Sequence, residues 1–366
     1  MSNRLICDVL SGRSYAWPAS MTQELAVIDA ATRHGVAPLL ARALRVADVS
    51  GWPPRVVGAL DRALAGESAL EHGRRAELRR LSSAFAAERI PALVFKGAAV
   101  AYQVYAQPWL RPRHDTDLLI RVDDTVRATD VLRGLGYEAM ITTSGRLVSA
   151  QNQWIRRDEI GSQHAVDLHW RILNPQAFAR LASFDELASR SVTLPALGDA
   201  ARAPAPADAL FIACLHRVAH HYDSENLLWL YDIHLLASSL RDVECDAFLD
   251  TVSRTGAGAV CAQGLRLAHD AFAGAAVERL ERRIASRDTP AAWRRFMSGG
   301  VTQMDVIWSD LRVLDTWRDR VTLVREHLFP PASYMRARYD VPPGRGLPYF
   351  YAYRIAHGVK RWFRQI

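Results

Sequence analysis

The 366-residue sequence predicts an α+β fold: a small mixed sheet flanked by N-terminal and C-terminal helical segments. Three observations carry this expectation. Apolar residues recur at helical spacing up to about residue 90, and again from 207 to about 285. Between them, over 91–175, short buried runs and alternating runs replace the helical period. Those runs are joined by Gly-containing turns and short helical stretches, so strands and helices interleave.

Taken in order, "QELAVIDAATRHGVAPLLARAL" has helical periodicity that Gly35 and Pro38 interrupt. The segment "VVGALDRALAGESALEHGRRAELRRLSSAFAAERI" then sets Leu60, Leu64, Leu78, Leu81 and Phe85 near one helix face. Arg74, Arg75, Arg79 and Arg80 lie away from it, as a solvated or phosphate-facing surface. "ALVF" reads as a buried strand, "GAAVAYQVYA" as a small helix and "DTDLLIRV" as a strand. Asp123 and Asp124 offer N-caps for a helix that "LRGLGYE" terminates, and "EAMITT" and "AVDLHWRI" read as further strands. After the loop "LPALGDAARAPAPAD", "ALFIACLHRVAHHY" and "LLWLYDIHLLASSL" form two packed helices. Helix is also expected over 290–330, ahead of a tail rich in aromatic residues and arginine.

Composition narrows the class without naming a reaction. Hydrophobic residues make up 49% and charged residues 23%, the balance of a water-soluble globular chain with a large core. A net charge of +7 permits an anionic partner, and it equally fits a genome that favours Arg and Ala. Nearly all the positive charge is arginine: Lys96 and Lys360 are the two lysines. Keeping a lysine at 96 points to a need for a compact point charge there. The four cysteines form no CxxC pair, which argues against a zinc finger and for buried thiols in a reducing compartment. Asp8 interrupts the apolar start and no run of about 18 apolar residues occurs, so a cytoplasmic protein without a transmembrane segment is expected.

The chemistry concentrates in "FKGAAVAYQVYAQPWLRPRHDTDLLI". Asp115 and Asp117 are two residues apart, so on a strand both carboxylates project to one face. Two carboxylates held close repel each other unless a cation intervenes, and a divalent metal is the economical one. A third acid, Asp167 in "HAVDLHW", falls on another strand. Upstream, Lys96 and Gly97 sit at a strand-to-helix turn, where glycine lets the backbone approach a phosphate and the helix N-terminus favours anions. Arg111 and Arg113 are placed to clamp phosphate oxygens.

With these residues in that order, the stretch "KGAAVAYQVYAQPWLRPRHDTDLLI" followed by "VDLHW" resembles the uncharacterised bacterial nucleotidyltransferases of the DNA polymerase β superfamily. It is more distantly similar to abortive-infection nucleotidyltransferase toxins. The resemblance covers 91 to about 172 and extends loosely through "CLHRVAHHYDSENLLWLYDI". It implies a polymerase-β-like core in which Asp115, Asp117 and Asp167 bind Mg²⁺ or Mn²⁺. Lys96, Gly97 and Arg111 would contact an NTP, with ATP the expected one. Residues 1–90 are then an N-terminal helical region, 91–200 the catalytic core, 205–290 a helical domain completing the nucleotide cleft, and 291–366 a helical region with an aromatic and basic tail. The sequence departs from better-known superfamily members in having Lys-Gly some eighteen residues before the aspartate pair, where those members have Gly-Ser much closer. Ala219 and Asn226 also stand where basic residues are common in the family.

Other assignments stay open at this level. His216 and His220 are four apart and Asp232 lies on the next helix; they line the nucleotide cleft, hydrogen-bond inside the helical domain, or ligate a metal with His169 or His221. His169 and Trp170 orient Asp167 or stack a base, Trp170 equally fits the core, and His114 is either beside the site or merely exposed. The tail "YFYAYRIAHGVKRWFRQI" is an amphipathic helix docked on its own domain, or a surface for a peptide, RNA or membrane. The expected reaction moves NMP from NTP to an acceptor hydroxyl of a small molecule, peptide or tRNA and releases pyrophosphate. The alternatives are a metal-dependent phosphotransferase, a non-catalytic nucleotide- or peptide-binding module of natural-product maturation, and a toxin acting on tRNA.

Overall fold

The computed structural model describes residues 2–18, 23–141, 145–159, 161–220, 225–285, 288, 290–341 and 346–362. Four helices come first: α1 (Ser2–Leu10), α2 (Glu24–Arg33), α3 (Ala37–Val46) and α4 (Pro54–Ala87). The breaks at Gly35 and before Pro38 fall where the sequence sets them, Gly35 in the left-handed region at φ 68°. The sheet-bearing segment follows with β1 (Ala92–Val94), α5 (Lys96–Gln103), β2 (Thr116–Ile120), α6 (Thr125–Gly134), β3 (Glu138–Ala139), β4 (Gln151–Arg157) and β5 (Gln163–His169). A short helix α7 (Phe184–Ser189) and a hairpin of β6 (Val192–Thr193) and β7 (Arg202–Ala203) lead into α8 (Pro206–Ala219) and α9 (Leu227–Ser239). Next come α10 (Asp242–Thr255), α11 (Gly258–Phe272) and α12 (Ala275–Arg282), then α13 (Gln303–Val313), α14 (Trp317–Leu328), α15 (Ala332–Tyr339) and α16 (Leu347–Trp362).

The five-stranded sheet has the order β1-β2-β5-β4-β3 and is mixed. β2 runs parallel to β5, and the other neighbours pair antiparallel. One face is apolar: Val94, Leu118, Ile120, Val166 and Leu168 join Leu78, Leu81 and Phe85 of α4 in one buried cluster. A larger cluster runs through α1–α3, the start of α4 and α8–α12, and takes in Leu93, Phe95 and Leu119 from the sheet. Helix α4, about 50 Å long for its 34 residues, therefore serves both clusters, Val56 and Leu60 at one end and Leu78 to Phe85 at the other.

Several local expectations are corrected. Asp124 does not cap α6 with its side chain; it sits in a 3₁₀ turn with helical backbone angles, and its carboxylate pairs with Arg127 at 3.1 Å. The strand expected over "EAMITT" is only Glu138–Ala139, and 142–144 lie outside the described residues. β4 has no counterpart in the sequence reading, because "QNQWIRR" is polar apart from Trp154 and Ile155 and shows no alternating apolar face. The expected loop over 194–208 includes the second strand of the β6–β7 hairpin. Residues 291–297 form turns, and regular helix resumes only at Gln303. The arginines of α4 are not simply solvated: Arg75 donates to the Ala196 carbonyl at 3.0 Å and Arg80 to that of Leu135. α16 packs on α13, α14 and α15, and the Tyr351 hydroxyl donates to the Pro330 carbonyl at 2.7 Å.

Leu168 is fully buried on the apolar face of β5. Leu168→Ala is expected to destabilise the protein by about 2–5 kcal/mol, as cavity-forming substitutions do, read as a lower guanidinium midpoint at unchanged slope.

Candidate active site

The site grows from the register of two strands. In the parallel β2–β5 pair, Asp117 lies directly opposite Asp167, and Leu118 opposite Leu168. Alternation sends both leucines into the core, so both carboxylates emerge on the opposite face. Asp115, two residues before Asp117, borders the same cavity. This cavity of about 470 Å³ lies between the sheet and helices α8 and α9, a size suited to a small organic ligand. Lys96, Gly97, Arg111, Arg113, His216, His220 and Asp232 all border it, so residues remote from one another in sequence are gathered at one place.

The Lys-Gly turn is fixed by its backbone and by the residues packed around it. After β1, the Phe95 amide donates to the Asp117 carbonyl at 3.2 Å, and the chain then turns at Lys96. Lys96 itself takes the left-handed conformation, φ 50°, a costly one for a residue with a side chain. The turn brings the ammonium back over β2, 2.8 Å from Asp117 Oδ1 and 3.3 Å from His169 Nε2. Gly97 is required for space: a Cβ there would collide with the Arg111 guanidinium, 2.9 Å from its Cζ.

The two arginines are engaged by buried acids. Arg111 forms a bidentate pair with Asp232 of α9, Nη2 to Oδ2 at 2.6 Å and Nε to Oδ1 at 2.9 Å, and Tyr105 donates to the same carboxylate at 2.7 Å. Arg113 pairs with Glu71 of α4 at 2.8 Å, and Tyr102 donates to that glutamate. Their strongest contacts tie the aspartate-bearing loop to α9 and α4. Arg113 keeps two buried nitrogens, Nε and Nη1, without hydrogen-bond partners. Asp232 borders the cavity and anchors Arg111 there.

His169 is fully buried and holds Asp117, Nε2 to Oδ1 at 2.8 Å, rather than its own strand neighbour Asp167. Burial, reinforced by the Lys96 charge, lowers its pKa to about 4, so a neutral ring donates through Nε2–H. Burial also pushes the Asp117 carboxyl upward, but the Lys96 charge and the His169 hydrogen bond outweigh it and hold Asp117 well below the usual carboxylate range. Asp167 has no such cation of its own. Burial first, then the negative charges of Asp117 and Asp115, raise it to about 6. Asp115 is raised as well, by burial and by Asp117.

Gln151 was missed. It lies on the unanticipated β4 and donates to Asp167 Oδ2 at 2.9 Å. Asn174 supports it, Nδ2 to Gln151 Oε1 at 3.1 Å, while the Asn174 amide donates to His220 Nε2 at 3.1 Å. A chain of polar contacts thus runs from α8 to the carboxylate. The signal available in the sequence was only indirect: β5 carries a buried acid, and such an acid needs a polar neighbour. His220 is therefore a hydrogen-bonded wall residue, its ring centroid 4.9 Å from that of His216. His221 lies outside the described residues. Trp170 follows β5 half-buried, its amide donating to the Ala150 carbonyl, and His114 is exposed at the rim.

Among the described residues, Asp117, Asp167 and His169 are the side chains grouped closely enough to share an ion, with candidate ligand atoms within 4.8 Å of one another. The donor set suits a hard divalent cation: it is carboxylate-rich, and Asp167 Oδ1 is buried without a hydrogen-bond partner. The arrangement can therefore concentrate positive charge beside an anionic ligand. A family model described as an uncharacterised nucleotidyltransferase matches residues 20–273, more than half of the chain. A search of curated proteins returns no significant match. Among the described residues, no helix is long and apolar enough to cross a membrane.

Two consequences are measurable. Gly97→Ala should displace Arg111 from Asp232 and cost about 1–3 kcal/mol, the worth of hydrogen bonds to a charged group, in chemical denaturation. Asp167 has a folded-state pKa raised to about 6 from 3.8, so the folded protein retains a proton that the unfolded chain releases. Stability is lost as pH rises through that window and stays lost above it. Metal-free Asp167→Asn should therefore melt higher than the parent at pH 7.5, with the difference vanishing at pH values below 3.8.

Proposed function

The chain belongs to this nucleotidyltransferase family, and on that premise we propose that it moves a nucleoside monophosphate from an NTP to an acceptor hydroxyl. The observation that carries the reading is the register opposing Asp117 and Asp167, with Asp167 Oδ1 left without a partner. We read Asp115, Asp117 and Asp167 as the residues that hold Mg²⁺ or Mn²⁺, with ATP as the nucleotide. When bound, the ion supplies positive charge at the phosphates and lowers the pKa of a coordinated hydroxyl.

The protein's own groups then have defined parts. Lys96 offers its ammonium to the triphosphate, and His169 and Gln151 keep Asp117 and Asp167 aimed into the cavity. Asp167 borders the cavity where the acceptor hydroxyl would lie and takes its proton. The acceptor oxygen forms a bond to the α-phosphorus as the bond to the β-phosphate bridging oxygen breaks, and the electron pair leaves with pyrophosphate. Arg113 and His216 border the cavity where the nucleotide would lie. In this reading 91–200 is the catalytic core, 205–290 completes the cleft, and 1–90 and 291–366 flank it. The acceptor is a small molecule, a peptide or protein, or a tRNA.

Incubation with each α-labelled NTP, Mg²⁺ and cell extract should give a labelled acceptor and pyrophosphate in equal amounts. Asp117→Asn should lower that turnover by at least about a hundredfold with the circular-dichroism spectrum unchanged. Unaltered turnover in the variant, or nucleoside diphosphate as the product, would defeat the assignment.

A further inference from the structure

The free site already holds a cation. The Lys96 ammonium sits on Asp117 Oδ1 at 2.8 Å, with both side chains about nine-tenths buried, and it approaches His169 Nε2 at 3.3 Å. The placement is built into the backbone, since Lys96 is the residue of the turn that adopts the left-handed conformation. The residue type matters as well. Arg111 and Arg113 are planar forks pinned by Asp232 and Glu71, whereas Lys96 is one of two lysines in the chain and ends in a compact charge with rotatable donors. An ammonium on a long stem can exchange one anion for another within the same cavity.

A divalent ion approaching Asp117 meets this ammonium. Like charges a few ångströms apart in a partly desolvated site repel strongly, so the ion binds only if Lys96 withdraws or shares the carboxylate. Withdrawal into a buried wall without a new anion is costly. A triphosphate in the cavity supplies that anion.

We propose that Lys96 is an internal counter-ion of the free enzyme, seated on Asp117 until a triphosphate draws it away, so that divalent-ion binding is conditional on nucleotide. This rests on the nucleotidyltransferase reading above and adds an order to it: in the metal-free site Asp117 is charge-compensated by the chain itself, and metal and nucleotide enter as a coupled pair. Because such coupling is reciprocal, the nucleotide should in turn bind more tightly with the metal present.

The test is Mn²⁺ binding by calorimetry and by loss of the free-ion EPR signal, with and without a non-hydrolysable α,β-methylene ATP analogue. Wild-type protein should bind Mn²⁺ weakly alone and about ten- to a hundredfold more tightly with the analogue. Lys96→Met and Lys96→Gln should bind Mn²⁺ alone about tenfold more tightly than wild type, with much of the coupling gone. Equal Mn²⁺ affinity of folded wild type and variants would overturn the inference, even if the analogue binds normally. Tighter Mn²⁺ binding by the variants with no analogue binding by any form would keep the counter-ion role and sink the nucleotide reading. Should the variants fail to fold, wild type labelled at lysine Cε decides, because two lysines give two signals. The Lys96 signal should move with analogue alone and stay put with sub-millimolar Mg²⁺ alone; the reverse pattern would overturn the inference.

Discussion

Everything at this site depends on one parallel pairing. With β2 beside β5 in a register that opposes Asp117 and Asp167, two carboxylates separated by 50 residues of sequence are forced onto the same face of adjacent strands. The same register drives Leu118 and Leu168 into the core, so a one-residue slip would bury the acids and expose the leucines. Hydrophobic burial on one side of the sheet thus holds the charge arrangement on the other.

That arrangement is unfavourable by itself, and the surrounding residues show how it is tolerated. Asp117 is compensated by Lys96 and His169, which leaves Asp167 and Asp115 to feel its charge with little relief. Gln151 satisfies one oxygen of Asp167 and the other stays without a partner. The two motif arginines neutralise buried acids on helices, and so convert the loop before β2 into a rigid bracket between α4 and α9. A site that holds Asp167 and Asp115 beside Asp117 without a cation of their own can take an added cation, and its carboxylates cost stability in the absence of one.

Support reaches the site from distant parts of the chain. α9 supplies Asp232, α4 supplies Glu71, and α8 supplies His220, which accepts from the amide of Asn174 and so steadies Gln151. Glu326 of α14 accepts the amides of Arg146, Leu147 and Val148 at 2.8–3.1 Å and pins the segment that leads into β4. The C-terminal helices lie beyond the matched family region, yet α14 among them holds the segment that precedes β4.

The α+β class, the helical flanks, the identity of β1, β2 and β5, and the acids and lysine carried on and beside those strands were legible in the sequence. Periodicity and local turn chemistry are properties of neighbouring residues, and a strand's alternation states which side chains share a face. Only the tertiary structure decided how those residues are used. That His169 serves Asp117 rather than Asp167, that Arg111 belongs to Asp232, and that Gly97 is small to admit a guanidinium while Lys96 bears the unusual backbone angle are all facts about partners remote in sequence. β4 and its Gln151 were illegible for the same reason. A polar strand has no periodic signal of its own, and its place is set by the backbone hydrogen bonds that β5 leaves open.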